Sequence, residues 1–337
     1  MSETDIRIAL TIGDPAGIGP ELAASLLEKG TPGVENLILI GSGKALREAM
    51  SAESASRIDF YPAEKLDGGW MPPSLPAVID VAGDIEVPGG GPSEESGGIA
   101  GRAIELAARL AREGKIDGIV TGPISKEALR LAGYPWNGHT SMLADLLDAP
   151  DCQMVMVSGE LRIVILTRDI PLKDVPGEVT RERIETGVRV MADALKELWG
   201  REDPVIVVAS LNPHGGDGGV TGTEEIETVI PAIEGLRGKG LDVRGPVPAD
   251  TLFYEWEKRG ADAFIALYHD QGMIPFKIGG FEDGVNMTVG LPVVRTSVCH
   301  GTAYDIAGKG LASPGSLIAA LTLAVECART RQKQVKV

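Results

Sequence analysis

Short, nearly all-apolar runs recur along the chain at 6–12, 37–40, 118–121, 154–157, 163–166, 205–209 and 263–267. Each has strand length. Apolar side chains at successive positions are what a strand buried on both faces requires, because neighbouring side chains point to opposite sides of a sheet. Between them lie longer stretches with apolar residues at helical spacing: 20–29, opened by Pro20, then 99–112, 180–199, 223–235 and 314–329. This alternation predicts an α/β protein with mostly parallel sheets and helices layered against them. The stretch 83–98, rich in Gly, Pro and Glu, reads as a surface loop or short hairpin. No internal repeat, low-complexity tract or compositional linker stands out.

The chain has 337 residues, too many for one simple core and suited to two domains. Its net charge of −16 repels the phosphates of nucleic acid and of anionic membranes, so neither is an expected partner. A small anion is still within reach where a few Lys and Arg converge. Cys152, Cys299 and Cys327 are far apart and form no CxxC, which fits a reducing cytosol. The polar, acidic start, followed at once by an apolar strand, does not read as a signal peptide, and no apolar run nears the roughly 18 residues of a membrane span. A cytoplasmic protein is expected.

Four groups of residues bear on chemistry. Gly13-Asp14-Pro15-Ala16-Gly17-Ile18-Gly19-Pro20-Glu21 follows a strand and opens a helix, whose first N–H groups suit an anion. It is neither GxGxxG nor a Walker A loop, and on spacing alone it reads as a βα turn. Gly41-Ser42-Gly43 reads as a turn as well. The only histidines, His139, His214, His269 and His300, all sit in polar, Gly-rich segments beside predicted elements. In a parallel sheet such segments gather at the carboxyl ends of strands, so the four are expected to share a face and, with it, a metal-type site. Singly, each would cap a turn. Among the cations, Lys277 and Arg295 flank Asn286 and suit a phosphate or carboxylate, whereas Lys309 reads better as solvated surface. Asp169, Asp250 and Asp270 lie near the histidines and are candidate ligands or proton carriers, although each alone would more often be a cap or ion-pair partner.

Taken in order, Gly13-Asp-Pro-Ala-Gly-Ile-Gly-Pro-Glu21, Thr121-Gly-Pro-Ile-Ser-Lys126, Gly138-His-Thr140, Leu211-Asn-Pro-His214, Tyr268-His-Asp-Gln-Gly272, Gly284-Val-Asn-Met-Thr288 and Arg295-Thr-Ser297 give the chain a likeness along essentially its whole length. It resembles the 4-hydroxythreonine-4-phosphate dehydrogenase family of vitamin B6 biosynthesis. His300-Gly-Thr-Ala-Tyr-Asp-Ile-Ala-Gly-Lys-Gly310 also resembles the cofactor loop of isopropylmalate and isocitrate dehydrogenases. The resemblance implies their fold, two α/β/α three-layer domains with the active site in a central cleft. The first domain is expected over 1–125 plus 285–337, and the second, with most metal ligands and the dimer contact, over 126–284.

The same resemblance implies a small phosphorylated substrate and NAD or NADP as cofactor, with His300, Gly301, Thr302 and Asp305 in its loop. It implies one divalent metal per site (Zn, Mn, Mg or Co) and a homodimer that shares the metal site. The family's metal sits on three histidines. Two match His214 and His269, and the third position carries Asp169 here. Substrate-binding positions carry over as His139, Thr140, Lys277, Asn286 and Arg295. Cys299 is a second departure, since relatives usually have an acidic residue there. The implied reaction is metal-assisted oxidation and decarboxylation of 4-phosphooxy-threonine to 3-amino-2-oxopropyl phosphate, with Asp250 or Asp270 as proton carrier. The alternatives are a dehydrogenase for 4-phospho-threonate or 4-phospho-erythronate, a relative acting on aromatic cis-dihydrodiols, a non-catalytic small-molecule-binding homologue, and a metal enzyme without nicotinamide.

Overall fold

A computed structural model describes residues 6–280 and 283–335; the acidic start of the chain lies outside the described residues. The described strands are β1 (Ile8–Thr11), β2 (Leu37–Gly41), β3 (Asp59–Pro62), β4 (Ala77–Asp80), β5 (Gly118–Thr121), β6 (Gln153–Ser158), β7 (Leu161–Thr167), β8 (Val205–Ala209), β9 (Asp242–Val247), β10 (Ala263–Tyr268), β11 (Val285–Val289) and β12 (Val294–Ser297). The chain divides into two compact units, one of Met1–Pro150 with Leu291–Arg329 and the other of Asp151–Gly290 with Thr330–Val337.

In the first unit the strand order is β3-β4-β2-β1-β5-β12, and every pairing is parallel. Consecutive residues of β1, β2, β5 and β12 are all buried, so both faces of these strands are covered. The Glu94–Arg112 helix packs on β1, β2 and β5, and Thr296 Oγ1 ties β12 to the Gly315–Val335 helix through the Ala320 carbonyl (2.8 Å).

In the second unit the order is β11-β6-β7-β10-β8-β9. β11 and β6 run antiparallel, as do β6 and β7, whereas β7, β10, β8 and β9 are mutually parallel. β7 is buried along its whole length. The Arg181–Trp199 helix packs against β7, β10 and β6. Among the described residues no helix is long and apolar enough to cross a membrane.

Three expectations need correction. The stretch 83–98 is not all loop: a helix starts at Glu94, capped by Ser93, which exchanges hydrogen bonds with Ser96. Gly97 and Gly98 made it read as loop, but Gly97 is there for packing, since a Cβ on it would collide with the Ala128 carbonyl; one on Gly101 would collide with the Tyr134 ring. The same contacts move the division of the chain. The Lys126–Leu131 and His139–Leu146 helices lie against the Glu94–Arg112 helix and belong to the first unit, while β11 pairs with β6 and belongs to the second. Finally, the helix over 223–235 begins as a π turn at Glu225–Val229 and is α-helical only over Ile230–Gly238.

The two adjacent glycines separate packing from propensity. Gly97→Ala should destabilise the protein by on the order of 2 kcal/mol or more through the clash with the Ala128 carbonyl. Gly98→Ala, whose added methyl meets only the flexible end of Arg102 at 3.3 Å, should be neutral or stabilising by up to ~1 kcal/mol. Urea denaturation of both variants checks this, and equal shifts in midpoint would contradict it.

Candidate active site

In the second unit β7, β10 and β8 are neighbours and parallel, so their carboxyl ends share one edge. β7 runs into Asp169, β10 into His269 and β8 into His214. Buried polar side chains staple these ends together. Thr167 Oγ1 donates to the Leu267 carbonyl (2.7 Å). Gln271 accepts from the Leu267 N–H (2.6 Å) and donates to the Ser210 carbonyl (2.7 Å). Buried Glu225 accepts from the N–H groups of Leu211 (2.7 Å) and Asn212 (2.8 Å), and the Asn212 amide donates to both Glu224 and Glu225. The turn bearing His214 is thereby fixed from behind.

Asp169 (φ 54°) and His214 (φ 55°) both adopt left-handed backbone, which suits few side chains and often marks a functional position. Both histidine rings are exposed. His269 Nδ1 pairs with Asp270 (2.7 Å) and His214 Nδ1 with Asp217 (3.2 Å), leaving Nε2 of each as the outward atom. A carboxylate behind a histidine is the usual support of a metal ligand. Two imidazole nitrogens and a carboxylate oxygen suit a divalent ion. Among the described residues, however, no three His, Cys, Asp or Glu of one chain are close enough to hold a metal. The structure brings Asp169, His214 and His269 to one edge without joining them into a coordination group. Asp270 is engaged by His269, whereas Asp250 is exposed in the first turn of the Ala249–Leu252 helix. Lys277 is exposed on the His269–Gly280 helix, and Asn286 on β11 keeps a buried Oδ1 with no hydrogen-bond partner.

In the first unit the carboxyl ends of β1, β5 and β12 meet around two buried charged groups. Arg295 is the bulkiest fully buried side chain, and its Nη2 donates to Thr121 Oγ1 (2.7 Å). Thr121 in turn donates to Ser297 Oγ (2.9 Å). His139 opens a helix, and its Nε2 is buried with no hydrogen-bond partner. Burial, reinforced by the charge of Arg295, holds its pKa well below the usual histidine range. The ring is therefore neutral at pH 7. Asp14 is fully buried and accepts from the Ala16 N–H (2.9 Å), Ser96 Oγ (3.1 Å) and Tyr304 OH (2.6 Å). Burial pushes its pKa up, and these hydrogen bonds counter the rise.

A cavity of 770 Å³ opens beside this cluster, with Gly17, Glu21, Lys44, Tyr304 and Gly308 in its wall. Both carboxylate oxygens of Glu21 are buried without a hydrogen-bond partner. Of the expected cofactor-loop residues, Thr302 is buried and its carbonyl accepts from the Ile18 N–H (2.9 Å); Gly301 and Asp305 are exposed, and His300 Nδ1 faces the Gly301 carbonyl (3.1 Å). Cys299 N–H donates to Ser316 Oγ (3.0 Å), and Lys309 is exposed. The four histidines do not form one cluster within either unit: His139 and His300 belong to the first, His214 and His269 to the second. Asp14, Thr121 and Tyr304 lie in motifs named in the sequence but were not singled out as site residues, and Ser96 had no signal there.

Two α/β units with donor residues at the ends of parallel strands form a fold also found in solved enzymes of low sequence identity. A β-decarboxylating dehydrogenase from Thermococcus kodakarensis shares it with a TM-score of 0.51 at 17% identity, covering 98% of this chain and 88% of that one. The chain belongs to the family of the pyridoxal phosphate biosynthetic protein PdxA, whose model matches residues 33–324. It is 41% identical to 4-hydroxythreonine-4-phosphate dehydrogenase of Geobacter metallireducens over 98% of both chains. It is 38% identical to D-threonate 4-phosphate dehydrogenase of Pectobacterium atrosepticum over 95% of this chain and 99% of that one. The crystal structure of 4-hydroxythreonine-4-phosphate dehydrogenase from Klebsiella pneumoniae superposes with a TM-score of 0.85 at 38% identity, over 98% of this chain and all of that one.

The depressed pKa of His139 has a consequence for stability. The unfolded chain takes up a proton near the ordinary pKa of 6.5, while the folded ring resists it until a lower pH. The contribution is therefore complete above 6.5 and is lost as pH falls below it. Between about pH 7.5 and pH 5.5 the wild-type Tm should drop, and His139→Asn should flatten that drop. Parallel Tm profiles for the two proteins would show that His139 does not titrate as described.

Proposed function

We propose that this protein is an NAD-dependent, divalent-metal-dependent dehydrogenase that oxidises the CH–OH group of a phosphorylated four-carbon hydroxy acid with loss of CO₂, 4-phosphooxy-threonine giving 3-amino-2-oxopropyl phosphate. The observation that carries this reading is full-length membership of the PdxA family. A second reading, oxidation of 4-phospho-threonate or 4-phospho-erythronate, is favoured by the likeness to the Pectobacterium D-threonate 4-phosphate dehydrogenase.

Asp169, His214 and His269 would hold a divalent ion able to polarise the reacting C–O bond, and a bound nicotinamide would supply the hydride acceptor. The rest falls to the chain. Asp217 and Asp270 fix the tautomers of His214 and His269 so that each Nε2 presents its lone pair. With Asp270 so engaged, Asp250 is the remaining candidate proton carrier. Buried Arg295 supplies positive charge to an anionic end of the substrate, where water screens it little. His139 beside it is neutral, and its unpartnered Nε2 is available to hydrogen-bond the substrate without adding charge. Thr140, Lys277 and Asn286 complete the proposed substrate-binding set. The 770 Å³ cavity of the first unit is the proposed dinucleotide site, with the start of the Gly19–Glu28 helix facing the pyrophosphate and His300, Gly301, Thr302 and Asp305 in the flanking loop. Glu21, Glu28, Glu48 and Glu86 in its wall disfavour a further phosphate, so NAD is preferred to NADP.

A homodimer that completes the metal site is part of the proposal. Leu172, Val220, Tyr254, Ile274 and Ile278, all in the second unit, are exposed, and a second copy of the chain would cover them. A cytoplasmic location goes with this reading.

Two experiments test these assignments. The purified protein, supplied with NAD⁺ and Mn²⁺ or Zn²⁺, should form NADH with 4-phosphooxy-threonine or with a phosphorylated threonate or erythronate. No absorbance change with any of the three would refute the dehydrogenase reading. Asp169→Ala should lose bound metal and activity together. If one ligand comes from the partner subunit, mixing the inactive Asp169→Ala, His214→Ala and His269→Ala proteins in pairs should restore activity in those pairs whose lesions fall on different subunits of one site. No recovery in any pair, with mixed dimers shown to form, would rule out a shared site.

A further inference from the structure

Tyr304 and Asp14 have no part in the proposed reaction, yet Tyr304 lines the cavity and Asp14 lies buried behind it. Tyr304 borders the cavity while its hydroxyl is anchored in the protein, donating to Asp14 Oδ2 at 2.6 Å. With the hydroxyl so engaged, the ring is the part of the side chain left to meet a ligand in the cavity. Burial and the Asp14 bond push the phenol up to about 12, so it remains a donor throughout the working range of pH. Asp14 is fully buried, and its three recorded donors come from three segments: Ala16 of its own loop, Ser96 at the start of the Glu94–Arg112 helix, and Tyr304 in the 300–310 loop. The 14–18 and 302–304 segments are also joined by the Ile18 N–H to Thr302 carbonyl bond (2.9 Å). A Cβ on Gly17 would lie 2.7 Å from that carbonyl oxygen, so the two backbones are as close as glycine allows.

We propose that the Tyr304 ring is a contact surface for a heteroaromatic ring of the bound dinucleotide, and that Asp14 is the positioning residue that holds it there. This rests on reading the 770 Å³ cavity as the dinucleotide site. A flat aromatic wall suits the adenine or nicotinamide ring, and such a contact adds to the gain from area burial alone. Fixing the ring before the cofactor arrives removes an ordering cost from binding. A carboxylate serves here because it accepts all three hydrogen bonds at once. The amide of an Asn would turn donor hydrogens toward groups that also donate.

The test is NADH binding, followed by its fluorescence, in the wild type, Tyr304→Ala, Tyr304→Phe, Asp14→Asn and the Asp14→Asn/Tyr304→Phe double variant, with folding checked by circular dichroism. Tyr304→Ala should weaken NADH binding by about tenfold or more, because the ring is lost. Tyr304→Phe keeps the ring but frees it, and should weaken binding about three- to fivefold. Asp14→Asn should weaken binding in the same direction, and the double variant should lose less than the sum of the two single losses, since both remove the Tyr304–Asp14 bond. The KM for the phosphorylated acid should stay within about twofold of wild type, a separation that general destabilisation would not give. Should Asp14→Asn fail to fold, the two Tyr304 variants still decide the matter. If the wild type binds NADH and Tyr304→Ala binds it equally well, the contact proposal is overturned while the dinucleotide reading stands. Additive losses in the double variant would overturn the positioning role of Asp14. A wild type that binds no NADH would overturn the dinucleotide reading, and this proposal with it.

Discussion

A parallel strand buried on both faces ends with backbone N–H and C=O groups that have lost their ladder partners but not their burial. Leaving such groups unmet costs on the order of 1–3 kcal/mol each. The second unit meets this at β7, β8 and β10 with side chains rather than water. Thr167 and Gln271 take both backbone groups of Leu267, Gln271 also takes the Ser210 carbonyl, and Glu225 takes two successive N–H groups after β8. The candidate metal ligands follow these points directly. Their placement is thus a consequence of satisfying the backbone: what closes the strand also aims the loop.

The first unit answers the same constraint with charged groups. Burying Asp14 and Arg295 is costly unless each is well hydrogen-bonded. Asp14 meets this with three neutral donors, which leaves its carboxyl raised and makes it a junction of three segments. Arg295 sits on a strand and cannot move far, so its charge acts steadily on its surroundings; one effect is that His139 resists protonation. A neutral imidazole next to a buried guanidinium suits anion recognition, because the positive charge stays on the group that cannot lose its proton.

The sequence reading succeeded where the physics was local and repetitive. Runs such as 205–209 and 263–267 are apolar at every position because both faces are covered, and they are β8 and most of β10. It missed β3 and β9, half-exposed strands at the margins of their units, where partial burial removes the apolar signal. It also missed β4, β11 and β12, which are mostly buried but whose apolar runs are cut short by Asp80, Asn286, Thr288 and Arg295-Thr296-Ser297. It misread the start of the Glu94–Arg112 helix because glycine marks flexibility in a loop and close approach in a packed helix, and spacing alone does not tell these apart. Asp14 and Tyr304 lie 290 residues apart, so their bond had no signature in either segment. A metal site on Asp169, His214 and His269 shared by two chains was implied by the resemblance alone, since a list of donors does not say which chain supplies each.

Asp169 shows how such a site can change without a change of fold. Its φ of 54° is matched by 55° at His214, and Asp and His are among the non-glycine residues that enter this region most readily. The backbone at 169 can therefore carry either donor, and exchanging imidazole for carboxylate needs no rebuilding of the loop after β7. The electrostatic consequence is larger than the structural one. A carboxylate brings a full negative charge to a divalent ion, so the ion withdraws less charge from a bound hydroxyl and depresses its pKa less. It is also a harder ligand, which narrows the advantage that imidazole gives Zn²⁺ over Mn²⁺ or Mg²⁺. On the proposed reading, one substitution at a permissive backbone position thus trades acidity of the bound hydroxyl for tolerance in the choice of metal. The Asp217 and Asp270 carboxylates behind the two remaining histidines push in the same direction, because each adds negative charge behind a ring that would face the ion.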